Sequence, residues 1–251
     1  MTRRYLYNYQ TIVTFSRSVY AHSVLLRCLP PKNSYMTIED EHLIMSGDFG
    51  LKSNTDSFGN EILYGSMRAP HSVLAYVSAG IVSMKPYGVA PDNIPMDVWT
   101  IPTRLTSLSE RDLSLLSIPE DPLAVCHEVH HMLQYVPQST TVDTTAAEVM
   151  ASQRGVCQDY AHLMIALCRH KAIPSRYACG FVCGTGATHA WVEVFDGSCW
   201  KAFDPTNDIQ PDYGYMKIAH GRDASDCPVS RGVYRGDAIQ ETSVHVTLQE
   251  I

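Results

Sequence analysis

The chain has 251 residues, of which 45% are hydrophobic and 18% charged, values that exclude a largely disordered chain. Its formal charge is −7, from 19 basic and 26 acidic residues, the wrong sign for a protein that lives on phosphate contacts. No apolar run reaches bilayer length, and the start, MTRRYLYNYQTIVTFSRS, lacks the apolar block and small-residue cleavage site of a signal peptide. The expected setting is cytoplasmic, with the eight cysteines between Cys28 and Cys227 as reduced thiols. No nucleic-acid or membrane partner is expected.

Residues 1–90 read as a β-rich region. Tyr5, Tyr7 and Tyr9 alternate with other residues, Val24-Leu25-Leu26 ends at Pro30-Pro31, and Asp56–Asn60 is turn-rich. Ile62–Tyr64 and Val73–Met84 are further strands, so an antiparallel sandwich or half-barrel is expected. Six prolines (86, 91, 95, 102, 119, 122) mark a connection with one helical piece near Thr106–Leu116. The second part, 91–251, begins within this connection. Helices are predicted at Leu123–Gln134, Ala146–Gln153 and from Cys157 to Lys171, before Ile173-Pro174. Strands follow at Arg176–Cys183, His189–Phe195 and Ser198–Asp204. The tail from Asp208 is Gly- and Asp-rich, with a last strand at Val244–Leu248. The expected fold is α+β.

The third helix carries the chemical signal. It is apolar on nearly every face (Tyr160, Leu163, Met164, Ile165, Leu167), as a buried central helix requires. Cys157 falls in its first turn, where unpaired N–H groups and the macrodipole favour an anion. Gly155 removes bulk just before it, leaving room for a substrate backbone. A hairpin supplies partners. With Asp196-Gly197 as a two-residue turn, Phe195 pairs with Ser198 and His189 with Asp204 on one sheet face. Asp204 then orients His189, and the free ring nitrogen faces Cys157 as a general base. A one-residue slip would separate the two. Asp159 reads as a first-turn carboxylate pointing away. His162 lies roughly 140° around the helix from Cys157 and Glu193 roughly 13 Å along the strand from His189, so neither serves as the base.

At these residues the chain resembles a known family. GVCQDYAHLMIALCR, IPSRYACGF, HAWVEVF and WKAFDPTND look like the core of the transglutaminase-like superfamily, papain-related cysteine enzymes. The Asp56–Asn60 turn (D-x-FGN) and the tail Gly221–Gly236 (GRD-x-x-D, then GVYxG) are similar to bacterial members with an N-terminal β region. Ala224 and Cys227 depart from the pattern, where an aromatic and an aliphatic residue are usual. The resemblance implies a papain-like core over 91–251, with Cys157 as nucleophile, His189 as base and Asp204 as orienting acid. It implies no cofactor and no metal. The calcium-site insertions and C-terminal barrels of the animal crosslinking enzymes are missing.

The implied chemistry is attack on a peptide or other amide through a Cys157 thioester, with hydrolysis favoured over transfer to an amine. One oxyanion donor is the Cys157 backbone N–H; Gln153 and Tyr135 are candidates for the second. Three alternatives stand beside this. An amine-accepting acyltransferase uses the same thioester. His127-Glu128-Val129-His130-His131 spells a zinc-peptidase pattern with His127 and His131 on one helix face, but without a supporting third ligand in the sequence. A binding module that has lost turnover is the third. Cys179 and Cys183 share a strand face too far apart for a disulfide, and like Cys28, Cys126, Cys168, Cys199 and Cys227 they read as buried thiols.

Overall fold

Strand β1 (Arg3–Leu26) runs the length of the N-terminal region, because its alternating Tyr5, Tyr7, Tyr9, Val13 and Phe15 all turn one face inward. The computed structural model describes residues 1–251. Strands β2 (Met36–Met45), β3 (Lys52–Thr55), β4 (Glu61–Met67) and β5 (His71–Met84) follow. The first half of β1 pairs antiparallel with β5. Its second half pairs with β4. Between them a register shift with Ala21 at φ +48° bends the strand. One strand therefore serves two parts of a curling sheet.

The proline-rich connection holds two short 3₁₀ turns, Met96–Trp99 and Arg104–Thr106, and helix α1 (Glu110–Ser114). Helix α2 (Pro122–Met132) starts with Asp121 accepting from the Ala124 N–H and with proline at its first position. Strand β6 (Gln134–Tyr135), helix α3 (Ala146–Ser152) and strand β7 (Arg154–Gly155) lead to helix α4 (Cys157–His170). Next come β8 (Ser175–Val182), β9 (Gly184–Gly186), β10 (His189–Phe195), β11 (Trp200–Phe203), β12 (Tyr215–Gly221), β13 (Ser230–Arg235) and β14 (Gln240–Glu250). The central sheet has the order β11-β10-β8-β12 and is antiparallel. Its two faces serve two cores. Ala190, Val192 and Val194 of β10 pack with α2, α3 and α4. Trp191, between them, packs with the N-terminal sheet. The fold is α+β, as expected.

Two features of the tail differ from the sequence reading. Tyr215–Gly221 is a fully buried strand, β12, within the stretch expected to be a Gly- and Asp-rich tail before the last strand. Strands β13 and β14 pair with β1, so the end of the chain completes the N-terminal sheet. The Asp56–Asn60 turn also ties the two parts together. The Asn60 side chain donates to the His220 carbonyl (2.7 Å) and accepts from its N–H (2.8 Å), as a strand neighbour would.

The face of the central sheet turned to the N-terminal region hides an ion cluster. Glu193 is fully buried and accepts from Arg176 Nε (2.5 Å), Lys217 Nζ (2.8 Å) and the Tyr87 hydroxyl (2.6 Å). Asp92 takes the Arg176 Nη1 (2.8 Å). Burial pushes Lys217 down to about 8, against the pull of Glu193. Removing one partner of such a cluster strands the others in low dielectric. Glu193→Gln should therefore cost about 3–5 kcal/mol of unfolding free energy in urea, followed by tryptophan fluorescence; a loss below about 1 kcal/mol would show that the cluster is solvated.

Candidate active site

Helix α4 starts where Val156 leaves extended backbone, and Cys157 is its first helical residue. The Cys157 N–H therefore has no acceptor within the helix. Asp159 closes this end from inside. Its carboxylate accepts from the Val156 N–H (2.7 Å) and the Thr140 hydroxyl (2.6 Å) and is wholly buried. Burial raises its pKa, against those two hydrogen bonds. A Cβ on Gly155 would lie 2.6 Å from the Asp159 Cβ. Gly155 thus makes room for the capping carboxylate, not for a substrate backbone as the sequence suggested.

The hairpin turn is one residue later than expected. Phe195 pairs with Trp200 and Val192 with Phe203, so Gly197 and Ser198 are the central pair. Gly197 has φ +97°, and the Asp196 carboxylate accepts from the N–H groups of Ser198 and Cys199 (both 2.8 Å). These bonds favour the later turn, with glycine at its first central position. The register moves by two residues, which preserves the face. Asp204 becomes the diagonal neighbour of His189, still within reach.

The two side chains meet. His189 Nε2–H donates to Asp204 Oδ2 at 2.7 Å. Asp204 is fully buried, and its Oδ2 also accepts from the Tyr215 hydroxyl (2.6 Å) and Asn207 Nδ2 (2.6 Å). Oδ1 accepts from the N–H groups of Thr206 (2.9 Å) and Asn207 (3.2 Å). Burial opposes its charge, but the hydrogen bonds and His189 hold it below the usual carboxylate range. Sequence reasoning missed Asn207 and Tyr215. Asn207 stood in the quoted WKAFDPTND segment, three residues after Asp204, whereas Tyr215 lay on the unrecognised β12.

Cys157 and His189 line one cleft of about 550 Å³, together with Leu105, Val142, Val229 and Arg231. Burial opposes the imidazolium, yet the hydrogen bond with Asp204, the nearby Cys157 and the charges of both push His189 up to about 10. With Nε2 taken by Asp204, Nδ1 is the nitrogen left for the thiol.

Of the other candidates, His162, His127 and His131 do not line this cleft. His162 is buried, accepts the Ala224 N–H (3.1 Å) and is pushed down to about 4 by burial. Tyr135 is half exposed, its pKa raised by burial and by Cys157, while Gln153 ends α3 with φ +54°. His131 donates to the His127 carbonyl (2.8 Å), and His127 pairs with Asp208. No group of three His, Cys, Asp or Glu side chains is placed to hold a metal ion, which leaves the zinc alternative without a ligand set. Cys183 is exposed and Cys199 half-buried, not buried as expected, because both sit just outside strand interiors.

Two family models match the chain. Residues 5–83 match the bacterial transglutaminase-like N-terminal region, and residues 109–205 the transglutaminase-like superfamily. The chain belongs to the transglutaminase-like superfamily. An uncharacterised protein of Mycobacterium leprae is 26% identical over 225 residues, 78% of this chain and 80% of its own length. One from Mycobacterium tuberculosis H37Rv is 26% identical over 277 residues, 93% of this chain and 86% of its own. The crystal structure of a candidate cysteine protease from Cytophaga hutchinsonii superposes with TM-score 0.81 at 22% identity, covering 100% of this chain and 93% of that one. That likeness shows a shared fold across the whole chain, tail strands included.

The raised His189 pKa has a thermodynamic consequence. Unfolded, the ring titrates near about 6.5; folded, it holds its proton to about 10. The stabilisation is fully present below about pH 6.5 and is lost as pH rises through about 10. In Asp204→Asn the decline in unfolding free energy between these limits should flatten, and the His189 ring should titrate lower by NMR. An unchanged His189 titration would disconnect the two residues.

Proposed function

We propose that the chain is a cysteine-dependent enzyme that cleaves amide bonds through a thioester on Cys157, with water as the usual acceptor. The observation that carries this is His189, fixed by a buried Asp204 and lining one cleft with the cysteine at the start of α4. A protonated His189 and the helix N-terminus both favour the thiolate.

In this reading the thiolate attacks the amide carbonyl carbon. The Cys157 N–H, free of intrahelical bonding, faces the oxyanion that forms. His189 gives its Nδ1 proton to the leaving amine as the C–N bond breaks, and the thioester remains. Water then attacks, His189 takes its proton, and the carboxylic acid departs with the thiolate restored. Asp204 keeps one ring face and tautomer throughout. A primary amine entering in place of water gives acyl transfer from the same thioester.

Cys157→Ala should abolish turnover of a peptide amide, and His189→Ala should lower kcat by at least about a hundredfold, the usual contribution of one acid–base group. Peptide-level mass analysis should find iodoacetamide on Cys157 ahead of the exposed Cys183, and chelators should leave activity unchanged. Full turnover after alkylation of Cys157 would exclude the thioester. Adding a small primary amine separates the acceptors: free acid as the dominant product supports hydrolysis, and the substituted amide supports transfer.

A further inference from the structure

Strand β13 enters the Cys157 cleft and continues out of it. Val229, Ser230 and Arg231 wall the cleft. Arg231, Gly232 and Val233 wall a second hollow of about 870 Å³. Arg231 lines both, so the two adjoin at that residue. The second hollow is a trough on the outer face of the sheet β4-β1-β13. There the register sets Leu25 beside Tyr64 and Arg231, and Ser23 beside Ser66 and Val233. Val24 and Leu26 turn the other way into the core.

The trough has a definite chemistry. Its two charged side chains, Lys52 and Arg231, are both cationic, in a chain of net charge −7. Neither takes part in an ion pair. One Arg231 nitrogen is anchored on the Ser225 carbonyl (2.9 Å), which holds the guanidinium between cleft and trough. Tyr64 and Val233 add exposed apolar surface, 41% and 75% accessible.

The strand also offers backbone. β13 pairs on one side only, with β1. The Arg27 N–H donates to the Val229 carbonyl (2.8 Å), so residues 229 and 231 direct their backbone groups to β1. By antiparallel alternation Ser230 and Gly232 direct theirs outward, at an edge that an extended chain completes.

We propose that the β13 edge and the trough of Lys52 and Arg231 bind an acidic, extended peptide segment of the substrate whose amide reaches Cys157. This rests on the reading of the Cys157 cleft as an acyl site, and it names the substrate class. The segment adds as a strand beside Ser230 and Gly232. Its nearest carboxylate faces Arg231 at the lip and its apolar side chains lie on Val233, while Lys52 and Tyr64, on the far side of β1, extend the cationic and apolar surface beyond the segment.

The test is binding, so that it does not depend on turnover. The full chain carrying Cys157→Ala is titrated with two fluorescein-labelled octapeptides of one apolar framework, one with glutamates and one with lysines at the same places. The acidic peptide should bind about fivefold more tightly at low salt, as expected for one exposed ion pair at Arg231. The preference should shrink as salt is raised. Lys52→Glu with Arg231→Glu should reverse it. Equal affinities, or a preference that survives the double reversal, would overturn the proposal. The salt series on the otherwise unaltered chain decides the matter even where the double variant fails to fold. Gly232 is left alone because a Cβ there would lie 2.7 Å from His22 Nε2, so a substitution would report packing. Iodoacetamide labelling of the unsubstituted chain reads the acyl site separately. A reactive Cys157 with no acidic preference rejects this inference alone, and an unreactive Cys157 with the preference intact rejects the chemistry alone.

Discussion

A carboxylate with no solvent must find its hydrogen bonds inside the protein, and Asp204 finds five. Two come from the backbone just after it, at Thr206 and Asn207, and bend the chain away from β11. One comes from the Asn207 side chain in that same bend. The Tyr215 hydroxyl crosses from β12, on the other side of the central sheet. The last comes from His189. The turn, the far strand and the ring are thus oriented by one buried charge. If β12 were displaced, Asp204 would lose a donor, and the ring would lose part of what keeps its partner ionised.

This makes the N-terminal region part of the site's support. β12 is held from the outside by the Tyr35 hydroxyl, which donates to the Tyr215 carbonyl (3.1 Å) and accepts from the Lys217 N–H (3.0 Å). Asn60 does the same at His220. Glu193 joins β10 to β8 and β12 through Arg176 and Lys217. The ion cluster lies on the same face of β10 as His189, four residues along the strand. A cluster of this kind adds little net stability compared with apolar packing, but its geometry is exacting. It ties β8, β10 and β12 together, and with them His189 on β10 and the Tyr215 hydroxyl on β12, both of which reach Asp204.

Local pattern made much of this readable. The all-round apolarity of α4, its break before Ile173-Pro174 and the alternation in β10 depend on neighbours in sequence, and they located Cys157 and His189. Asp204 was located because a two-residue error in register keeps side chains on the same face. The error itself came from giving the turn to Asp196-Gly197, when the Asp196 side chain bonds forward and moves the turn along. β12 was unreadable for another reason. Lys217 and His220 look like surface residues, and the groups that make them tolerable inside, Glu193 and Asp92, are distant in sequence. Gly155 was misread likewise, because the side chain that fills its space belongs to Asp159, four residues later.

The path of the chain end follows from the same constraint. After β12 the chain has used its place in the central sheet, and Cys227–Arg231 lies against the cleft. It then returns to β1, first as β13 and then as β14. The part of the cleft wall from Val229 to Arg231 is therefore built on the N-terminal sheet, not on the helix that carries Cys157. Nucleophile and wall belong to separate layers, joined through the central sheet. Changes on the outer face of β1, β4 and β13 can therefore reshape what enters the cleft without touching the hydrogen bonds around Asp204. Asp204 and its donors and the outer face of β13 thus rest on different supports, so the two are free to vary separately.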